Sequence, residues 1–356
     1  MDRISEVEFI VESALNYTKQ ILEKIIDIPS PSGYCRNVLD YIASEVKELG
    51  FSFDMTAKGN GLIYIPQNDS NNNNEKGILL TAHVDTLGAM VRSIKADGKI
   101  RMTSIGGFMM QSVEGEYCTI HMRNQKTVTG TILSTKPSVH VYNDARSMER
   151  TEDLMEIRLD ESVTSKEDVQ ALGITVGDYI SFDPRYSVSK SGYIKSRHLD
   201  DKAGVAILMG FLHYIHENQV SLSRDVTIML STYEEVGHGS SYIPMTIDTL
   251  LAIDMGAIGD DLTCTEKDVS ICVKDGRGPY DYGMVNELIN IAQTHKISYA
   301  LDIYPYYSSD ASAALSGGHD IKAALIGPGV HASHTLERTH EDALRNTLQL
   351  LIGYVK

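Results

Sequence analysis

The chain has 356 residues, of which 42% are hydrophobic and 22% are charged, as is typical of a folded globular protein, and this excludes disordered and fibrous classes. This length is sufficient for one large hydrophobic core and a smaller second one. The formal net charge of -16 disfavours nucleic acids and anionic membranes as partners, because both would be repelled, and leaves metal cations and small neutral or basic substrates compatible.

Cysteine usage and the N-terminal sequence predict the compartment. No two of the four cysteines have CxxC spacing, so neither a disulfide framework nor a thiolate zinc cluster is indicated. The N-terminal residues carry acidic side chains within their apolar pattern, unlike a signal peptide, and no apolar run has the length of a membrane span. We therefore expect reduced cysteines and a cytoplasmic protein without a membrane partner.

The first quarter of the chain predicts two helices and three strands. The first elements are helices over 4–27 and 35–49, strands over 51–56 and 61–66, and an exposed polar loop over 68–77. An unbroken apolar run then leads from Gly77 to His83 and Asp85, as in a strand buried on both faces of an α/β sheet. The carboxyl ends of such strands face ligands.

The pattern of apolar and polar residues changes over residues 88–195. Short β-like runs separated by Gly, Asn, Asp and Pro fill this segment, and only residues 165–173 show a helical pattern. The pattern predicts an inserted β-rich domain or small β-barrel. Residues 1–87 and 196–356 would then form the principal domain.

Alternating helices and strands return after Asp200. Helices are predicted over 201–217 and 282–295, from 309 and from about 340, and strands over 225–233, 250–255, 269–274, 298–304 and 321–326. This alternation predicts an α/β fold with a mostly parallel, doubly wound sheet and helices on both of its faces.

His83 and Asp85 form an HxD pair at the end of the buried strand. Because side chains two residues apart in a strand point to the same side, one could bind a metal while the other orients it. The alternative is a structural histidine beside a capping aspartate.

Acidic residues recur where other predicted elements begin or end. Asp200 and Asp201 open a helix, where one could bridge two metals or both could cap the helix. Glu234 and Glu235 follow a strand, and two adjacent carboxylates repel each other unless a cation is near. One could be a metal ligand and the other a general base, or both could form a solvated loop tip. Asp254 ends a further strand at the same edge, where it could bind metal or form a turn.

Three histidines lie close to the start of the terminal helix. Thr339 is expected to cap that helix with His340 pointing into it, which leaves His331 and His334 as candidate ligands. A pair of metal ions needs two histidines, two terminal carboxylates and a bridging carboxylate, and such nitrogen and oxygen donors suit zinc, cobalt or manganese. The candidate residues supply that set.

Seven segments, in order, resemble the M42 family of metallo-aminopeptidases, which includes tetrahedral aminopeptidases and glutamyl aminopeptidase relatives. The segments are 82–88, 172–183, 196–204, 231–240, 252–256, 306–314 and 333–340. The resemblance covers nearly the whole chain. It implies a zinc-peptidase-like fold with a barrel-like insert that serves to assemble dimers and dodecamers.

The resemblance also implies roles for single residues. Thr86 stands where many relatives have Glu, and Lys202 where Arg is common, so the preferred N-terminal residue stays open. Asp85 would orient His83, and Glu234 would be the general base. The implied metal ligands are His83, Asp200 as the bridge, Glu235, Asp254 and His334.

These roles imply an aminopeptidase that removes N-terminal residues from peptides with two divalent cations per subunit. The cations would lower the pKa of a bound water, and Glu234 would take its proton and pass it to the departing amine. Three alternatives stay open: an amidohydrolase acting on N-acyl amino acids, a glycosidase that uses Glu234 and Glu235, and a non-catalytic oligomeric scaffold.

Overall fold

The computed structural model describes residues 3–67 and 76–356, and for residues 3–10 it describes only the backbone. The polar loop predicted over 68–77 falls almost wholly outside the described residues. No helix within the described part of the chain combines the length and the apolar character that a bilayer span requires.

Most helices and strands lie within a few residues of their predicted positions. The helices are Arg3–Ile26 (α1), Arg36–Glu48 (α2), Lys166–Leu172 (α3), Leu199–Asn218 (α4), Tyr282–His295 (α5), Asp310–Ser316 (α6) and Glu341–Val355 (α7). The strands of the first half are Phe53–Met55 (β1), Gly61–Ile65 (β2), Gly77–His83 (β3), Gly88–Ile94 (β4), Ile100–Ile105 (β5), Tyr117–His121 (β6), Thr127–Ser134 (β7), Met155–Leu159 (β8) and Tyr179–Phe182 (β9). The strands of the second half are Ser187–Val188 (β10), Tyr193–Ser196 (β11), Val226–Ser231 (β12), Ile247–Ile253 (β13), Gly256–Ala257 (β14), Val269–Lys274 (β15), Tyr299–Ile303 (β16), Lys322–Val330 (β17) and Glu337–His340 (β18).

The larger sheet has the strand order β1-β2-β12-β3-β13-β17-β15-β16. Its central strands are parallel: β3 pairs with both β12 and β13, and β13 pairs with β17. By contrast, β15 runs antiparallel to β17. No helix lies between β13 and β15 to carry the chain back across the sheet, so β15 runs in the opposite direction. The sheet is therefore mixed, although its centre is parallel.

The helix α4 lies at the centre of the principal core. Its residues from Leu199 to Leu212 are all buried, as expected of a helix that is apolar around its whole circumference. It packs against α1, α7 and β3. This packing fixes the N-terminus of α4, which carries Asp200 and Asp201, close to the end of β3.

The β-rich segment closes into a barrel of six strands in the order β4-β5-β8-β7-β6-β9. Residues such as Met102, Ile120, Ile157 and Ile180 fill its interior and form a hydrophobic core separate from the principal one. The strands β10 and β11, which were predicted to belong to the insert, form a separate small sheet in which β10 pairs with β11 and β11 pairs with β18 near the C-terminus. The domain limits at 88 and 195 stay a prediction.

The predicted cap of the terminal helix was wrong. His340, not Thr339, is the N-cap of α7, and its Nδ1 accepts a hydrogen bond from the Asp342 backbone N–H at 3.0 Å. Thr339 belongs to β18, where its hydroxyl donates to the Gly329 carbonyl at 2.7 Å. The strand pairing therefore holds Thr339 in the sheet and moves the start of the helix by one residue.

Candidate metal centre

Polar side chains meet where three neighbouring parallel strands end. His83 is the last residue of β3, Asp254 directly follows β13, and Glu234 and Glu235 follow β12 after a short loop. Because the carboxyl ends of parallel strands meet at one edge of a sheet, these residues converge although they are far apart in the chain. The start of α4 adds Asp200 to the same place.

Asp200 lies between two imidazoles. Its Oδ1 is 3.1 Å from Nε2 of His83, and its Oδ2 is 3.3 Å from Nε2 of His334. Nε2 of His83 is also 3.9 Å from Asp254 Oδ2, and Nε2 of His334 is 3.6 Å from Glu235 Oε2. The donors thus form two groups, one histidine and one carboxylate in each, and Asp200 presents one oxygen to each group.

Within the described part of the chain, two sets of three side chains have donor atoms within 4.8 Å of one another: His83 with Asp200 and Glu235, and His83 with Asp201 and Asp254. The second set contains Asp201, which was not among the predicted ligands. Its carboxylate accepts hydrogen bonds from the backbone N–H groups of His83 and Gly204, both at 3.1 Å. Because both of its oxygens are engaged by the backbone, Asp201 serves to hold β3 against α4.

The electrostatics of the cluster favour a bound cation. Burial, together with the charge of Asp200, raises the pKa of Asp254 to about 7 and the pKa of Glu235 well above its usual range. Oε1 of Glu235 is buried and has no hydrogen-bond partner among the described residues. Burying several carboxylates together is unfavourable unless positive charge compensates them, so this donor set fits divalent metals.

Asp200 is the exception among these acids. Burial opposes its ionisation, but hydrogen bonds from His334 and His83 outweigh this effect and lower its pKa. The same contact acts on the histidine: burial alone would lower the pKa of His334, whereas the hydrogen bond with Asp200 raises it to about 11. The contact between Asp200 and the two histidines therefore favours the ionised carboxylate against the effect of burial.

The side chain of Asp85 holds the glutamate pair. Its carboxylate accepts hydrogen bonds from the Ser32 hydroxyl at 2.5 Å and from the backbone N–H groups of Glu234 at 3.1 Å and Glu235 at 3.2 Å. Nδ1 of His83 lies 2.8 Å from the Asp85 carbonyl oxygen but 3.6 Å from its carboxylate. The carbonyl oxygen, rather than the predicted carboxylate, is thus the nearer partner that orients the imidazole.

The two candidate histidines of the C-terminal loop differ in position. His334 faces Asp200, its Nδ1 hydrogen-bonds the Gly107 carbonyl, and its backbone N–H donates to Glu337 at 3.0 Å. His331 is exposed, and its backbone pairs with Arg338. Glu337 also accepts from the Asp200 backbone N–H at 3.1 Å, so one buried carboxylate ties the loop to the start of α4. Glu337 was not among the predicted site residues.

A second buried acid, Asp310, holds the loop that carries the glutamates. It accepts hydrogen bonds from Thr81 at 3.1 Å, from Ser231 at 2.5 Å and from the Ser240 backbone at 2.8 Å. Asp310 therefore connects β3, β12 and the segment after Glu235. In the sequence, Asp310 lies within the segment 306–314 that resembles the M42 family, but no role was predicted for it.

A cleft of about 210 Å³ opens beside Glu234. Serines of α6 and of the segment before it line this cleft together with Arg277. The Oε2 atom of Glu234 lies 3.7 Å from Nε2 of His83, so Glu234 stands between the cluster and the cleft. Arg277 is exposed, and within the described part of the chain its guanidinium has no ion-pair partner.

Lys202 and Thr86, the two departures from the family pattern, do not belong to the cluster. The buried Nζ of Lys202 donates to the carbonyl oxygens of Ile25 at 2.7 Å and Ile28 at 2.6 Å, at the end of α1. The hydroxyl of Thr86 donates to the adjacent Leu87 carbonyl at 3.0 Å. Lys202 therefore binds the first helix to α4 instead of lining the site.

Comparisons with known proteins agree with one another. The sequence profile described as M42 glutamyl aminopeptidase matches residues 61–350. The chain is 48% identical over 345 residues to a Bacillus subtilis (strain 168) protein named "Putative aminopeptidase YhfE", covering 97% of this chain and 99% of the relative. It is 25% identical over 243 residues to the glutamyl aminopeptidase of Lactococcus lactis subsp. cremoris (strain MG1363), covering 67% and 66% of the two chains.

Solved structures include a TET1 peptidase of Pyrococcus horikoshii, which can assemble into a tetrahedron or a large octahedral shell. It superposes with a TM-score of 0.82 at 23% identity and covers 95% of this chain and 99% of its own. This likeness confirms the expected α/β fold with a mostly parallel sheet and an added closed barrel.

Proposed function

This chain belongs to the M42 family of aminopeptidases, and we propose that it removes N-terminal residues from peptides at the cluster around Asp200. The membership confirms the predicted family and the predicted class of enzyme. The main support for the proposed site is the position of Asp200, whose two oxygens face two histidines from distant parts of the chain.

We assign the metal ligands to two groups that share Asp200. His83 and Asp254 would hold one cation, and His334 and Glu235 would hold the other. Nitrogen and oxygen donors of this kind suit zinc or cobalt, and also manganese. Bound there, the cations would supply a water of lowered pKa and polarise the carbonyl group of the scissile bond.

Glu234 is the general base in this proposal. Its carboxylate lies beside His83 and borders the cleft, so it can reach both the cluster and a peptide bound next to it. It would accept the proton of the attacking water and deliver it to the departing amine. Asp85 would act through Glu234 and Glu235, because it fixes the backbone of both residues.

The cleft beside Glu234 is proposed to hold the side chain of the substrate's N-terminal residue. Small hydroxyl groups from Ser308, Ser309 and Ser312 line it, and Arg277 is its cation. A guanidinium pairs well with a carboxylate, so we propose a preference for acidic N-terminal residues. The enzyme of Lactococcus lactis is named for glutamyl substrates, which agrees with this preference.

We further propose that the chain forms homo-oligomers in the cytoplasm, with the barrel of β4–β9 as an assembly surface. The assemblies of the Pyrococcus horikoshii relative support the oligomer. The four cysteines are free thiols, as a reducing compartment favours. Dimers and a dodecamer have distinct masses, which native mass spectrometry would separate.

Peptides with free and with acetylated N-termini test the activity itself. A metal-loaded aminopeptidase should cleave the free peptide and reject the acetylated one, because the free α-amino group is part of what it recognises. Preferential cleavage of N-acyl substrates would identify an amidohydrolase instead. Full activity on the free peptide after exhaustive chelation would remove the metals from the proposal.

A further inference from the structure

Tyr307 places a hydroxyl without a partner beside the candidate metal centre. The residue lies between β16 and α6 and is partly exposed as a whole, whereas its hydroxyl oxygen is buried. Among the described residues this oxygen has no hydrogen-bond partner. A buried hydroxyl that makes no well-aligned hydrogen bond costs free energy, so this group gains by donating to a ligand bound beside it.

The surroundings of Tyr307 are the carboxylates of the cluster. The carboxylate of Asp254 is the neighbour that acts most directly on the hydroxyl, and the charges of Asp200 and Glu234 also act on it. Tyr307 also adjoins the cleft beside Glu234, because the next residue, Ser308, lines that cleft, and so does Arg277, which follows the Gly276 that bonds the Tyr307 backbone. During hydrolysis by the proposed function, the carbonyl group of the substrate would lie between the metal ligands and this cleft.

The backbone and ring of Tyr307 are held firmly. Its carbonyl oxygen accepts a hydrogen bond from the Gly276 backbone N–H at 2.9 Å, which ties the segment to the loop after β15. Its ring meets the ring of Tyr304 edge-on, with centroids 5.5 Å apart. A donor that is fixed before the substrate arrives does not need to be reorganised during the reaction, which is what makes such donors effective.

We propose that Tyr307 is a catalytic residue whose hydroxyl donates a hydrogen bond to the carbonyl oxygen of the scissile peptide bond as that oxygen gains negative charge. The inference rests on the proposed aminopeptidase function and adds a residue to it. A phenol keeps its proton at neutral pH, with an ordinary pKa of about 10, so it acts as a donor and not as a proton shuttle. Asp254, Asp200 and Glu234 are all acceptors when ionised, so none of them can supply this donor.

The experiment replaces Tyr307→Phe in the full-length, metal-loaded enzyme, which removes only the hydroxyl. Four quantities are measured: kcat, KM, metal content, and the affinity for a tetrahedral aminophosphonate compared with that for the product amino acid. We expect kcat to fall about 100-fold, the lower end of the range for losing one oxyanion donor. KM, metal content and product affinity should stay unchanged, and phosphonate affinity should fall together with kcat/KM.

Tyr304→Phe is the matched control. It removes a neighbouring buried hydroxyl whose partner is Ser270 Oγ at 2.5 Å, and it should leave kcat unchanged. An unchanged kcat in Tyr307→Phe would overturn the inference. Loss of metal together with activity would also overturn it, because the hydroxyl would then act by holding the metal ligand Asp254 in place and not by contacting the substrate. These outcomes differ from failure of the proposed function, in which the unmodified enzyme would itself lack aminopeptidase activity.

Discussion

Asp200 and His334 meet across the candidate site, with 3.3 Å between Asp200 Oδ2 and His334 Nε2, while the other oxygen of Asp200 faces His83 at 3.1 Å. One carboxylate thus joins the end of β3 to the loop between β17 and β18. A carboxylate in this position can bridge two cations, which is the basis of the predictions below.

The first prediction concerns the choice between the two histidines. His334→Ala should bind one metal fewer per chain, and its turnover should fall more than about 100-fold. Removing a residue that only supports a metal ligand already lowers metal affinity or activity by about 10-fold to 100-fold, so removing a ligand itself should lower turnover further. Metal analysis and steady-state kinetics check both effects. His331→Ala is the matched control and should retain metal and activity; the reverse result would move the ligand to His331.

The second prediction separates the two adjacent glutamates. Glu234→Gln should keep both metals and lose turnover by about 100-fold or more, because it removes the general base without removing a ligand. Glu235→Gln should lose metal as well as turnover. Equal metal loss in both variants would contradict the division of roles, and unchanged peptide turnover in Glu234→Gln would remove the assigned base.

The third prediction concerns stability. Lys202→Met removes the Nζ donor from the carbonyl oxygens of Ile25 and Ile28, of which Ile25 keeps the Ile28 backbone N–H, and we expect the free energy of unfolding to fall by about 2 kcal/mol. Lys202→Arg, which keeps N–H donors at this position, should lose less. Urea unfolding measures both variants. If Lys202 instead acts on the substrate, the substitution would change the preference among N-terminal residues while stability stays constant.

The fourth prediction concerns substrate selection. Arg277→Gln should reduce kcat/KM for peptides with N-terminal Glu or Asp by about two-fold to five-fold, as expected for one solvent-accessible ion pair, and should leave peptides with N-terminal Leu unchanged. Arg36→Gln removes the same charge from an exposed position on α2 and is the control. An equal loss for acidic and apolar substrates would show that Arg277 does not select the side chain.

The strand-end residues of the site could be predicted from the sequence for a physical reason. His83 and Asp254 each follow an apolar run, and such runs indicate the buried strands of a parallel sheet, whose carboxyl ends meet. The direction of β15 could not be predicted in the same way. The sequence shows that it is a strand, but only the missing crossover helix decides that it runs antiparallel to β17.

Contacts between distant residues could not be predicted. The carboxylate of Asp85 is held by Ser32 and by the backbone of Glu234, which is 149 positions away, and nothing local in the sequence indicates these contacts. Glu337 and Tyr307 were missed for the same reason. Their importance lies in what they face, a backbone N–H of Asp200 in one case and the carboxylate of Asp254 in the other.

Anomalous diffraction from crystals grown with zinc or cobalt tests the central claim most directly. We expect two peaks per chain, one bound by His83 and Asp254 and the other by His334 and Glu235, with one oxygen of Asp200 bound to each. A single peak, or peaks that Asp200 does not bridge, would contradict the two-metal centre.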